Sequence, residues 1–195
     1  MKIIYISGGT RCGKSAFALT EALRIKGKRA FIATAIPIDE EMSQRINAHI
    51  KERGDSFVTI EQPLDIEKAL KDNAGIYNVI LIDCLTIWLS NVMERDIDNT
   101  NNEIERLIKF LNEIRSNKNL KAIYIVSNEV GMGIVPENKI ARVFRDFSGK
   151  MNQGIASIAD EAYFVVSGLP LKIKGSRGLR LLAGFFKGQS TLKGV

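Results

Sequence analysis

Apolar residues in this chain come in short unbroken runs, separated by segments in which they recur every three or four positions. Ile3 to Ile6 is such a run; Arg29 to Thr34, Phe57 to Glu61, Val79 to Asp83, Ala122 to Ser127 and Ala162 to Ser167 follow. Runs this short suit strands, and the nearly all-apolar VILID at 79–83 suits a central parallel strand buried on both faces. Between them, Ala18, Leu19, Ala22 and Leu23 fall at helical spacing in a segment from Ala16 to Lys26, with Gly27 as its stop. Asp39 is placed to cap a helix running to Arg53, and Asp65 opens a short amphipathic one to about Ala74. Leu85 to Met93 reads as an apolar helix, and Ile104, Leu107, Ile108 and Leu111 give the cleanest helical stripe. The Asn-rich stretch Arg95 to Asn102 reads as an exposed loop, and Lys139 to Ala159 as a helix interrupted near Gly149 and Gly154. Strands alternating with helices in this way predict an α/β domain with a mostly parallel central sheet flanked by helices.

Composition narrows this only slightly. With 45% hydrophobic and 26% charged residues the chain reads as soluble and globular, without the ~20-residue apolar run of a membrane span. No signal-peptide pattern opens it, and Cys12 and Cys84 form no metal-type pair, so a reducing, cytoplasmic setting is expected. The net charge of +6 resides in the end of the chain: Leu171 to Val195 carries six basic and no acidic residues, leaving 22 of each in the first 170. A neutral body without an aromatic and basic stripe argues against nucleic acid as a partner. The expected division is therefore a domain at 1–174 and a basic, glycine-rich tail at 175–195.

Chemistry concentrates where the first strand ends. Gly8, Gly9, Thr10, Arg11, Cys12, Gly13, Lys14 and Ser15 have the spacing of a phosphate-binding P-loop, in the strand, loop and helix context it requires. Glycines let backbone N–H groups turn inward around an anion, and the helix N-terminus adds positive field. Lys14 would then reach the β and γ phosphates and the Ser15 hydroxyl would hold Mg²⁺. Asp83 ends a strand, where an acid can share that cation, or else cap the next helix. Glu61 ends another. His49 is the chain's single histidine and borders the apolar face of its helix; spacing leaves it either structural or a nucleophile toward phosphorus.

The segments GGTRCGKS, RINAHIKER, LIDCLT and above all SNEVGMGIVPENKIARVFRDFSGKMNQGIA resemble the bifunctional adenosylcobinamide kinase / adenosylcobinamide-phosphate guanylyltransferases of cobalamin assembly. The resemblance runs from Met1 to about Lys174 and implies a single-domain, RecA-like P-loop NTPase. It implies phosphorylation of adenosylcobinamide from ATP or GTP, then transfer of GMP from GTP through a guanylylated histidine, matched here by His49. It implies nucleotide contacts at Gly8 to Ser15, at Ala33, Thr34 and Ala35, at Ile50, Lys51, Glu52 and Arg53, and at Glu61 and Asp83. A corrinoid substrate and a homotrimer are implied as well. Cys12 stands where the family usually has serine, and Ile50 where a basic residue is common. A P-loop kinase lacking the guanylyl step, or a RecA-like module using its tail on nucleic acid, are the competing readings.

Overall fold

The computed structural model describes residues 1–36, 40 and 54–175. One seven-stranded sheet organises them: β1 (Lys2–Gly8), β2 (Arg29–Ala33), β3 (Val58–Glu61), β4 (Val79–Asp83), β5 (Ala122–Asn128), β6 (Glu161–Val166) and β7 (Leu169–Lys174). The order is β3-β2-β4-β5-β1-β6-β7, with every neighbouring pair parallel except the β6–β7 hairpin. The helices are α1 (Lys14–Leu23), α2 (Ile66–Asn73), α3 (Leu85–Arg95), α4 (Thr100–Glu113) and α5 (Lys139–Ile158).

Strand alternation sends successive side chains to opposite faces, and each face has its own cover. Ile4, Ile6, Leu81 and Val126 pack with Ala18, Leu19 and Ala22 of α1. Ile3, Ile32, Ile82 and Ile125 pack with residues of α2 through α5, including the almost fully buried Trp88, whose indole N–H donates to Leu64 C=O at 2.7 Å. Covering both faces explains why the central strands are apolar without alternation.

The strands fall where the apolar runs predict them; four other expectations are corrected. α1 ends at Leu23 rather than Lys26, because the Arg29 guanidinium reaches back from β2 and donates to the carbonyls of Ala22, Leu23 and Ile25 at 3.2, 3.1 and 2.7 Å. The exposed Asn-rich loop is shorter than expected, a turn over residues 96–99: α3 runs through Arg95 and α4 starts at Thr100, which is buried with its hydroxyl donating to Asp96 C=O. α5 is unbroken across Gly149 and Gly154, started by Asn138 accepting from the Ala141 N–H at 3.1 Å. Gly154 lies where Ile108 of α4 packs, so a Cβ there would collide with the Ile108 side chain. Finally, β7 was not expected. Its strand follows a Ser167-Gly168 turn with both residues at positive φ, and Pro170 is tolerated because β7 is an edge. The expected helix from Asp39 to Arg53 and the tail beyond Gly175 lie outside the described residues.

Candidate functional site

At the carboxyl edge of the sheet the register sets polar residues in a row. Glu61 of β3 pairs with Ala33 of β2, which pairs with Asp83 of β4; Gly8 of β1 pairs with Asn128 of β5. The glycine loop leaves β1 at Gly8 and enters α1 at Lys14, with Arg11 at φ 57° and Gly13 at φ 94° turning the backbone through left-handed conformations. The first bond of the helix is from the Phe17 N–H to Gly13 C=O at 3.0 Å. The amides before it are the orphan donors of a helix start, the groups an anion engages. Lys14 is 7% exposed and its ammonium donates to Gly9 C=O at 3.0 Å, bent back over the loop.

The loop is held from outside by the β6–β7 hairpin. Gly168 N–H donates to Cys12 C=O at 2.9 Å, and a Cβ on Gly13 would lie 3.2 Å from Gly168 Cα. Gly8 has no room for a side chain either, since a Cβ would run into Val165 C=O and stand 2.7 Å from Cys12 Sγ.

Asp83 is followed by Cys84 through a cis peptide, and Cys84, not Asp83, takes the N-cap position of α3. Cys84 is fixed by Thr34: the fully buried threonine hydroxyl accepts from Cys84 N–H and donates to Cys84 C=O, both at 2.8 Å. Asn91 of α3 donates in turn to Thr34 C=O at 2.9 Å. Burial, reinforced by the Asp83 charge, pushes the Cys84 thiol up to about 12, so it stays protonated and inert.

A cleft of about 370 Å³ collects these groups: Thr10, Arg11, Gly13, Lys14, Ser15 and Asp83 line it together with Asn128. Larger grooves of about 740 and 790 Å³ lie between α2 and α4 and between α3 and α5, without glycine-loop amides. Among the residues expected from sequence, the structure thus brings the P-loop and Asp83 into one cavity. Ala33 and Ala35 are half-buried and Glu61 exposed at the neighbouring strand ends, whereas the Thr34 side chain points into the protein. His49, Ile50, Lys51, Glu52 and Arg53 lie outside the described residues. Asn128 was not expected in the site; the signal was its place at the end of a buried strand, the position that singled out Asp83. Among the described residues no three His, Cys, Asp or Glu side chains gather to hold a metal, and no helix is long and apolar enough to cross a membrane. A cation here would use one carboxylate, one hydroxyl and the nucleotide's own oxygens, the open set that Mg²⁺ takes with phosphates.

The fold has distant likenesses. The ATPase EscN of the enteropathogenic E. coli type III secretion system superposes with TM-score 0.57 at 12% identity, over 95% of this chain and 52% of its own, so the chain spans about half that ATPase. The RadB recombinase gives 0.55 at 11% identity over 90% and 82%. At such identities these likenesses show the fold alone, a mostly parallel sheet flanked by helices. Sequence relatives are nearer. CobP of Pseudomonas aeruginosa, a bifunctional adenosylcobalamin biosynthesis protein, is 36% identical over 171 residues, covering 87% of this chain and 96% of its own. CobU of Salmonella typhimurium, with the same description, is 36% identical over 190 residues, covering 88% and 99%. The cobinamide kinase / cobinamide phosphate guanyltransferase pattern matches residues 4–173, and the chain belongs to that family.

Proposed function

We propose that the protein phosphorylates the hydroxyl on the aminopropanol arm of adenosylcobinamide from ATP or GTP, then transfers GMP from GTP to the product, releasing pyrophosphate. The observation that carries this reading is the cleft itself, in which glycine-loop amides, Lys14, Ser15 and Asp83 converge in a chain of that family. The loop amides would take the β-phosphate. Lys14 has only to exchange its bond to Gly9 C=O for phosphate oxygens, where its charge offsets that of the transferring group. Ser15 and Asp83 would hold Mg²⁺, which neutralises charge between the β and γ oxygens.

In the second reaction the neutral His49 imidazole attacks the α-phosphorus of GTP. A nitrogen–phosphorus bond forms as the bond to the bridging oxygen breaks, and pyrophosphate leaves with the electron pair. The phosphate of the corrinoid then displaces the nitrogen, restoring the imidazole and forming adenosylcobinamide-GDP. Glu61, Ala33 to Ala35 and Ile50 to Arg53 are nucleotide contacts by the resemblance, which also supports a homotrimer.

Incubation with GTP labelled at the α-phosphate is expected to leave an acid-labile, alkali-stable adduct on the protein, absent in His49→Ala, while that variant still phosphorylates adenosylcobinamide. Phosphorylation without any adduct in the native protein would eliminate the guanylyl step.

A further inference from the structure

Asn128 ends β5 beside Gly8 of β1, two residues beyond Val126, the partner of Asp83. It therefore stands between the glycine loop and the strand-end carboxylate, and it lines their cleft. The preceding residue, Ser127, turns its side chain toward α3 and α5, so alternation sends the Asn128 side chain to the opposite face, where the glycine loop enters α1. Among the described residues the Asn128 carboxamide makes no hydrogen bond; the bonds at this residue use its backbone.

That backbone is held by a closed ring in which every proton can be assigned. The Asn128 carbonyl can only accept, and takes a proton from Asn152 Nδ2 at 3.1 Å. The orientation this gives the Asn152 amide leaves its Oδ1 to accept from the Ser127 hydroxyl at 2.7 Å. Ser127 Oγ, its proton so committed, accepts from the Thr86 hydroxyl at 3.2 Å, and Thr86 Oγ1 accepts from Asn128 N–H at 2.6 Å. The ring begins and ends on Asn128 and ties α3, β5 and α5 together. Ser127 is fully buried, and Thr86 and Asn152 are each 7% exposed. Removing one member strands the others without partners in a medium where unpaired polar groups are costly. On the far side, Glu129 N–H donates to Gly8 C=O at 3.0 Å, locking the next peptide to the phosphate-loop strand. A fully satisfied buried network thus fixes the peptides on both sides of one residue, whose own side chain faces the cleft without a partner.

We propose that Asn128 is a γ-phosphate contact of the bound nucleoside triphosphate, kept in aim by the Thr86–Ser127–Asn152 ring; this rests on the nucleotide reading above. The loop amides claim the β-phosphate, so the γ-phosphate extends from Gly8 toward Asp83, past the end of β5. A carboxamide N–H there donates to an equatorial oxygen whose charge is stabilised during transfer, with Lys14 on the other side. Asn128 is then a catalytic residue, and Thr86, Ser127 and Asn152 are positioning residues.

The test compares binding of Mg-ADP and of the non-hydrolysable β,γ-imido analogue of ATP by the full chain. In Asn128→Ala, affinity for the analogue is expected to fall about tenfold with ADP affinity within about twofold, and phosphorylation kcat to fall about 10- to 100-fold. Asn152→Ala and Thr86→Val are expected to show a smaller loss of the same γ-selective kind, and Thr86→Ser, which keeps the hydroxyl, to recover it. Urea midpoints report whether each variant is folded, and the Thr86 pair carries the positioning test if Asn152→Ala is not. Equal weakening of ADP and analogue, or no weakening of either, in a folded Asn128→Ala protein overturns the proposal. Absence of nucleotide binding in the native protein overturns the nucleotide reading, and this inference with it.

Discussion

Replacing Thr34 by valine is expected to destabilise the protein by about 3 kcal/mol through a hydroxyl that never leaves the interior. Valine has nearly the shape of threonine, so no cavity opens, and the change isolates the two 2.8 Å bonds to Cys84. The consequences at the two ends differ. Cys84 C=O keeps the Trp88 N–H of α3 at 3.2 Å, so there only the net value of one hydrogen bond is lost, about 1 kcal/mol. Cys84 N–H is left without a partner at a residue only 5% exposed, which costs a further ~1–3 kcal/mol. For a chain of this length the sum corresponds to a Tm lower by roughly 6–12 °C. Urea titration followed by circular dichroism measures it, with Thr34→Ser as the control that keeps both bonds. Because Asp83 precedes the released residue, Mg²⁺-dependent nucleotide binding should weaken more than the melt alone implies. A valine variant melting within 1–2 °C of the native protein, or a serine variant losing as much, would refute the reasoning.

Two further perturbations probe other parts of the fold. Glu161 receives Lys172 at 2.7 Å and Lys2 at 2.9 Å, and the Lys172 hydrogen bond chiefly holds its carboxyl down to about 2 against partial burial. A depressed folded-state pKa means that the stability contributed is complete above the ordinary value of 4.5 and is lost as pH falls toward 2. Glu161→Gln should therefore cost about 1–2 kcal/mol at neutral pH, the shift being discounted for solvent screening, and the gap from wild type should close between those pH values; a gap independent of pH would contradict this. Gly154→Ala should destabilise native protein by about 1–2 kcal/mol through overlap with Ile108, yet stabilise an Ile108→Ala background by up to ~1 kcal/mol, because alanine is the better helix former. Additive effects in that cycle would show that the two helices do not meet as described.

What the sequence made legible was local. The glycine loop is specified by eight consecutive residues, and its strand and helix context lies on either side, so spacing alone reports it. Asp83 was legible because it ends an apolar run. Asn128 ends a buried strand as well, but the ring that holds it, made by Asn152, Ser127 and Thr86, forms only once α3 and α5 lie on the same sheet face. Thr34 shows the same limit from the other side: resemblance marks it for nucleotide, while the fold gives its hydroxyl to Cys84, fifty positions away. The end of α1 was misjudged because its cap, Arg29, belongs to the next strand. β7 was missed although Leu169, Leu171 and Ile173 alternate with Pro170, Lys172 and Lys174, since an exposed edge strand lacks the continuous apolar run that marked the others.

The hairpin contact on the glycine loop bears on how the protein comes into being. The loop leaves the ribosome well before Val165 and Gly168, which press against it. Until β6 and β7 dock, the Cys12 carbonyl lacks the Gly168 N–H and Gly8 lacks the Val165 carbonyl beside it, so the loop is without its outer support. Contacts this distant in sequence form late, because loop-closure entropy must be overcome first. On the proposed nucleotide reading, a chain cut short before the hairpin is expected to bind nucleotide more weakly than the full one, because its loop lacks the Gly168 bond.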